Sequence, residues 1–590
     1  MSRFWLIFFS FLTLSLAGVL SRKDEDIFQK LVHAVSKKPV DASGKCAVCT
    51  LIVDGFQMLL KENSTDEELI NFGVNLCKIL KAENTHVCDT LVPSLLPEVI
   101  FMLDKIVVTP NELCGAFVAD CGNSTNVFDV LWPLKIPDGK PAVKPWPQVP
   151  KGNPTMRVLH LSDIHIDRQY VEGAEALCDN EIEDDVGIFR MFVMCCRNYP
   201  PEFFGNKVKD SIKMPAGKWG TLAQCDLPYQ TFISAMKHIS QNEKLDYIMI
   251  TGDLEAHNIG DYTRESTSAS IENITNVIRE FFPNTPIYQS IGNHEGVPSD
   301  SFAPHGMDEY DTRGPQWLYT ELVKDWSPEL GAVQQNDVQY RGSWAQYIKP
   351  SLKLISINSI YCSNHNFYIY INQVDPDQTL EWLIEQLIDS EQKGDKVHLF
   401  AHIPSGVNDC LKGWSYNFYD IVNRFESTIV AQFYGHTHLD HFQIYYESAD
   451  AKKRPTGINF ITPSLTTNSN LNPAYRIYTI DGDYQGSSFT ILEMETYSAN
   501  ITEANINNHE PLWKLEYKTT ESYSMKDLSP ASWHELTVRF ENDPDLFRKF
   551  YNFYTRNGNQ SDNCPNEKGC REGFVCGMRT ARSHNEAPIC

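Results

Sequence analysis

Beyond its first 17 residues the chain has no apolar run approaching the roughly 20 residues of a spanning helix, so no later stretch is expected to cross a bilayer. Basic charge is also scarce. Against 76 Asp and Glu stand 51 Lys and Arg, a formal net charge of −25, which disfavours nucleic acid and other polyanions as partners. Protonation of the 17 histidines in an acidic compartment would offset most of that charge and ease approach to an anionic membrane. No internal repeat and no low-complexity tract outside one proline-rich segment is found, which argues against a repeat architecture or a disordered chain.

At 590 residues the chain is too long for one ordinary core, and two or three domains are expected. Arg3, the apolar run Phe4 to Leu16 and the small-x-small pattern Ser15-Leu16-Ala17 read as a signal peptide, residues 1–17. Sixteen cysteines, an even number, fit an oxidising route, as do N-glycosylation sequons at Asn63, Asn123, Asn273, Asn500 and Asn559. The protein is therefore expected to be secreted, lysosomal or both.

Six cysteines, Cys46, Cys49, Cys77, Cys88, Cys114 and Cys121, fall in segments that read as helices. In "CAVCTLIVDGFQMLL" the residues Val48, Leu51, Ile52, Phe56, Leu59 and Leu60 recur at the three- and four-residue steps of one helix face. Six cysteines allow 15 pairings, and their spacing alone does not choose among them. The stretch "PLKIPDGKPAVKPWPQVPKGNP", with seven prolines, reads as an extended, semi-rigid linker. After it, "MRVLHLSDIH", "LDYIMITGD", "PIYQSIGNHE", "KVHLFAHIP" and "IVAQFYGHTH" read as buried strands interleaved with helical stretches, the pattern of an α/β sandwich. Each strand ends in Asp, Asn or His, and in open α/β sheets the site lies beyond the carboxyl ends of the strands. "RIYTIDG" and "SSFTILEMETY" are expected as further strands, followed by helices from about Ser532 to Tyr554 and a short tail with Cys564, Cys570, Cys576 and Cys590.

The strand ends collect Asp163, His165, Asp253, Asn293, His294, His402, His436 and His438, a nitrogen and oxygen donor set without cysteine that suits zinc, iron or manganese. In this order the series resembles the signature of the calcineurin-like metallophosphoesterases. The resemblance implies that Asp163, His165, Asp253 and His438 hold one metal, that Asp253, Asn293, His402 and His436 hold the other, and that Asp253 bridges them. It leaves His257 and His294 as non-ligand histidines suited to general acid catalysis.

The six-cysteine helical segment resembles a saposin B domain, which implies pairs Cys46–Cys121, Cys49–Cys114 and Cys77–Cys88 and suits lipid contact; a stapled packing module is the alternative. The combination, with "HLSDIHIDRQY", "KWGTLAQCDLP", "TGDLEAH", "IGNHE", "FYGHTHLDHF" and "NPAYRIYTIDGDYQGSS", resembles the acid sphingomyelinase family. That family implies an all-α saposin-like domain (42–125), the proline-rich linker (126–155), an α/β metallophosphoesterase sandwich (156–445) and a region completing the sheets before a helical, disulfide-rich end (446–590). It further implies the pairs Cys178–Cys195, Cys196–Cys225, Cys362–Cys410, Cys564–Cys570 and Cys576–Cys590, two zinc ions, and a bridging water as nucleophile. The implied reaction is hydrolysis of sphingomyelin, in membranes or lipoprotein surfaces, to ceramide and phosphocholine, by a monomer touching the membrane peripherally through its saposin domain. A phosphodiesterase of nucleotides or other soluble diesters, and a lipid-binding protein with an inactive esterase domain, are the rival readings. An aromatic such as Tyr475 is a candidate for a cation–π contact with choline. The chain stops at Cys590, so activation through the longer tail of some relatives is not expected.

Overall fold

The amphipathic segments near the amino terminus form helices α1 (Ala42–Lys61), α2 (Asp66–Ile79), α3 (Thr85–Lys105) and α4 (Pro110–Phe117). The computed structural model describes residues 42–79, 85–106, 108–118, 121, 130–178, 194–199, 212–558 and 564–584. The expected signal peptide, Asn123, Asn559 and Cys590 lie outside these residues. The chain divides into two units, one of residues 1–129, 179–193 and 199–210, the other of residues 130–178, 194–198 and 211–590.

In the first unit α2 packs on α3 and α1 on α4. Leu59, Leu69, Phe72, Leu76 and Met102 are buried, and the Phe72 ring meets Phe56 edge-on at 5.2 Å. Helix α4 starts with Pro110 and a reciprocal capping box in which Thr109 and Glu112 satisfy each other's backbone N–H groups. The disulfides are Cys46–Cys121, Cys49–Cys114 and Cys77–Cys88. Such bonds supply what a core this small cannot. By length and composition α3 could cross a membrane, against the expectation that no later stretch could. Its Cys88 bond to α2 and its buried Leu91, Ile100 and Met102 make it instead a packed helix of this unit.

The second unit contains two six-stranded sheets. Their strands are β1 (Thr155–Leu161), β2 (Tyr247–Ile250), β3 (Ile287–Gln289), β4 (Trp344–Lys349), β5 (Leu352–Ile357), β6 (Lys396–Ala401), β7 (Ile429–Tyr434), β8 (His441–Tyr446), β9 (Pro455–Ile461), β10 (Ala474–Asp481), β11 (Ile491–Ala499) and β12 (Trp513–Lys518). The first sheet runs β12-β11-β10-β1-β2-β3 and the second β8-β9-β7-β6-β5-β4. Phe433 of β7 meets Tyr478 of β10 at 4.9 Å, so the sheets face each other. All residues of β2 and β5 are buried, as expected for strands covered on both faces. Parallel register sets Leu161 beside Ile250, Ile250 beside Gln289, and Phe400 beside Phe433, which levels the carboxyl ends where the polar turns begin.

Helices α5 (Tyr229–Asn242) and α6 (Arg264–Phe281) accompany the first sheet, with Trp513 donating to Ser234 of α5; α7 (Thr379–Lys393) and α8 (Lys412–Arg424) pack on the second. The proline-rich segment is extended, and from Val130 onward it belongs to this unit rather than forming a free spacer. Asn417 of α8 donates to the Trp132 carbonyl and accepts from the Leu134 N–H, Arg424 donates to the carbonyls of Pro137 and Asp138, and Lys140 pairs with Glu426. Beyond Gln443, β10–β12 complete the first sheet. Helices α9 (Pro530–Asn542), α10 (Pro544–Tyr554) and α11 (Lys568–Met578) follow, with Trp533 packed 4.2 Å from Phe442. The unit carries Cys178–Cys195, Cys196–Cys225, Cys362–Cys410 and Cys564–Cys570; Cys576 is also disulfide-bonded.

Candidate metal centre

Where β1, β2 and β7 end, the chain turns sharply through left-handed backbone at Asp163 (φ 49°), His165 (40°), Asp253 (60°), His436 (70°) and His438 (62°). Such conformations cost non-glycine residues on the order of 1–3 kcal/mol each and persist where the surroundings over-determine them. Here the loops are stitched together. The backbone N–H groups of Ile164 and His165 donate to the Asp253 carbonyl, and that of Gly435 to His402. Gly252 (φ 91°) lies against Gly292, and a Cβ on Gly292 would stand 2.2 Å from Asp253 Oδ1; neither position admits a side chain. Glu295, buried, accepts from the N–H groups of Asp253, Leu254 and Gly292 and ties the two loops.

The turns bring the expected residues together with their protons committed outward. His402 donates Nδ1–H to the Thr251 carbonyl (2.7 Å), leaving Nε2 inward, 3.0 Å from both Asp253 Oδ2 and Asn293 Oδ1. Asn293 spends its amide N–H on Asp300, which turns Oδ1 inward. His436 is 3.0 Å from Asp409 through Nε2, so Nδ1 faces Asn293 Oδ1 at 3.2 Å and His402 Nε2 at 3.3 Å. Four lone-pair atoms thus converge, an arrangement that repels itself unless a positive charge sits among them. A proton on His402 Nε2 can supply that charge in place of a cation: burial alone would lower the His402 pKa, yet the Asp253 carboxylate raises it to about 9.

Beside this group, His165 donates Nδ1–H to the Glu255 carbonyl (2.6 Å) while its buried Nε2 has no hydrogen-bond partner and lies 3.5 Å from Asp253 Oδ2. Burial, then the neighbouring His257, hold the His165 pKa well below the usual histidine range, so the ring offers a lone pair. His438 Nε2 lies 3.5 Å from Asp163 Oδ1. Three sets, Asp163 with His165 and Asp253, His165 with His257 and His438, and Asp253 with His402 and His436, each place ligand atoms within 4.8 Å of one another. An orphaned buried imidazole nitrogen and inward-facing acceptors suit a cation bound by nitrogen and oxygen.

His257 and His294 stand at the edge of this cluster, with ring centroids 4.7 Å apart and His257 3.9 Å from His165. His257 is gripped by buried Asp226, which accepts from its backbone N–H (2.6 Å) and its Nδ1 (2.9 Å). Burial would lower the His257 pKa, but Asp226 outweighs it and the pKa is raised. His294 differs. Tyr262 donates its hydroxyl hydrogen to the Ala256 carbonyl and so accepts from His294 Nδ1 at 2.7 Å, while burial outweighs Asp253 and takes the His294 pKa down to about 4. Sequence reasoning missed Asp226, Tyr262, Glu295 and Asp409, since each acts through another residue and none lies in a spacing that announces it. Tyr475 is fully buried between sheet and helix, stacked on Tyr497 at 5.1 Å, and is a packing residue rather than a choline contact.

Residues 156–440 match the family described as calcineurin-like phosphoesterase, and residues 455–584 match the acid sphingomyelin phosphodiesterase C-terminal region. "Sphingomyelin phosphodiesterase 2" of Caenorhabditis elegans is 52% identical over 554 residues, 93% of this chain and 89% of that protein. The chain belongs to the sphingomyelin phosphodiesterase family. A human member, "Sphingomyelin phosphodiesterase", is 34% identical over 543 residues, 92% of this chain and 82% of its own. A human cyclic GMP-AMP phosphodiesterase is 28% identical over 372 residues, 60% of this chain and 78% of its own.

Proposed function

We infer that this chain is a metal-dependent phosphodiesterase that hydrolyses sphingomyelin to ceramide and phosphocholine. The observation that carries this reading is the inward-facing acceptor set at the ends of β1, β2, β3, β6 and β7, in a chain matched almost end to end by sphingomyelin phosphodiesterases. We assign one ion to Asp163, His165, Asp253 and His438 and a second to Asp253, Asn293, His402 and His436, with Asp253 shared and zinc the metal that donors of this kind suit. Bound cations supply Lewis acidity and offset the charge that develops on phosphoryl oxygens.

The protein's own groups do the rest. Hydrolysis joins a water oxygen to phosphorus and breaks the bond to the ceramide oxygen, which needs a proton. His257 is the donor: Asp226 holds Nδ1–H and thereby aims Nε2. His294, held neutral with its Nδ1–H engaged by Tyr262, presents an Nε2 lone pair that accepts from water. Residues 42–125 are proposed as a saposin B-type module that loosens lipid packing for the catalytic domain, in a monomer delivered through the secretory route to lysosomes or the exterior.

One experiment tests these assignments together. Phosphocholine release from sphingomyelin vesicles and hydrolysis of a soluble phosphodiester are measured for the native, metal-chelated and 46–121-deleted proteins. Chelation should abolish both activities, and the deletion should cut vesicle turnover far more than soluble turnover. Equal losses on both substrates would make the helical unit structural. Hydrolysis of a nucleotide diester with no phosphocholine release would replace the lipid reading by a soluble-substrate one.

A further inference from the structure

Behind Asp163 lies a file of buried polar groups for which the chemistry above has no use. Ser162 Oγ is 2.5 Å from Asp163 Oδ2, Thr251 Oγ1 is 2.6 Å from Ser162 Oγ, His160 Nε2 is 2.9 Å from Thr251 Oγ1, and the Tyr478 hydroxyl is 3.3 Å from His160 Nδ1. His160, Asp163, Thr251 and Tyr478 are 0% exposed and Ser162 is 1% exposed, so water cannot substitute for any link. Polar groups so buried are costly unless every donor and acceptor is matched.

Counting hydrogens sets the direction of the file. An ionised carboxylate only accepts, so Ser162 donates to Asp163. With its single hydrogen spent, Ser162 must accept from Thr251, and Thr251 in turn from His160 Nε2–H. Burial, with the Arg476 charge nearby, keeps His160 neutral, so its Nδ1 is an acceptor and Tyr478 donates to it. All four donors point towards Asp163, and such chains polarise cooperatively. Their terminus is specific. Oδ2 takes the Ser162 hydrogen, while Oδ1 is the oxygen 3.5 Å from His438 Nε2.

We propose that Thr251, Ser162 and His160 are positioning residues: a one-way hydrogen-bond relay that fixes the rotation of the Asp163 carboxylate and so which oxygen it presents to a metal ion. The proposal rests on the metal-centre reading above. The backbone N–H of His436 lies 3.0 and 3.1 Å from Oδ1 and Oδ2 and so does not tell the two oxygens apart; the Ser162 hydrogen, given to Oδ2 alone, does. Groups that orient a ligand from behind typically contribute ~10- to 100-fold in metal affinity.

The test is metal retention, read without substrate. Zinc-loaded wild type, Thr251→Val, Thr251→Ser and Ser162→Ala are titrated with a chelator of known affinity, retained zinc is counted by atomic emission, and melting of the stripped proteins is recorded. Thr251→Val keeps the shape and removes the hydroxyl; it should release zinc at ~10- to 100-fold lower free chelator, with Thr251→Ser near wild type and stripped proteins melting alike. Should Thr251→Val fail to fold, Ser162→Ala, which deletes the last link, decides on the same readout. Zinc held as tightly by the folded variants as by wild type would overturn the relay alone. So would a Thr251→Ser protein as weak as Thr251→Val, since packing and not the hydroxyl would then be at work. A wild type that retains no zinc would overturn both the relay and the metal-centre reading.

Discussion

At the scale of single residues, the division of labour between His257 and His294 comes from their partners. Asp226 gives His257 a fixed Nδ1–H and a compensating charge, whereas the neutral Tyr262 hydroxyl gives His294 orientation without charge. Removing His257 should therefore cost what a general acid contributes, about 10²- to 10⁴-fold in kcat, with Asp226→Asn losing less because the amide oxygen still accepts from Nδ1–H. Metal content must be measured alongside, since His257 also groups with His165 and His438. Full zinc occupancy with low kcat is the expected result; lost zinc in His257→Ala would make it a ligand instead. The ligand candidates were legible because Asp, Asn and His recur at the ends of apolar strands. Asp226 was not, because it reaches His257 across 31 positions through folding alone.

At the scale of elements, the loops of the centre depend on segments that carry no ligand. Arg556, in the turn after α10 and 1% exposed, donates to the His438 carbonyl at 2.6 Å and to Ser464 Oγ at 3.1 Å. The carboxy-terminal region thus clamps the "GHTH" loop from behind. Arg556→Met should lower zinc retention and turnover by about 10-fold, and Arg556→Lys should rescue only in part, since one ammonium cannot match the fork of a guanidinium. Unchanged zinc retention in a folded Arg556→Met protein would refute the clamp. The proline-rich segment shows the limit of composition at this scale. Seven prolines specify an extended, non-helical chain, and they are silent on whether it is docked; Asn417 and Arg424 of α8 decide that by bonding to its carbonyls.

At the scale of the molecule, two buried carboxyls contribute stability on the acid side. Glu516 has one oxygen bonded to Asn557, and burial, then the Asp440 carboxylate, raise its pKa to about 7 from an ordinary 4.5. A carboxyl whose pKa is raised on folding binds its proton more tightly in the native state. Its contribution is therefore complete below about pH 4.5 and is lost as pH rises through about 7, worth on the order of 3 kcal/mol. Asp325, raised to about 6 chiefly by burial, acts in the same direction. Glu516→Gln should consequently melt above the native protein at pH 8 and close to it at pH 5; equal destabilisation at both values would contradict this account.

By itself the sequence marked seven of the twelve strands of the two large sheets, because burial imposes a period of two residues or an unbroken apolar run on them; β4, β5, β8, β9 and β12 were read only from the structure. It also marked the strand ends that carry ligand-type residues, since metal binding restricts chemistry to a few side chains. The helical unit's disulfide pairs were open to 15 arrangements by spacing and were suggested only by resemblance. Tertiary structure alone decided the left-handed turns, the outward commitment of the His165, His402 and His436 ring protons, the relay behind Asp163 and the grip of Asp226 and Arg556. Those depend on which atoms meet across the two sheets, and a hydrogen bond between distant positions leaves no period in the chain that makes it.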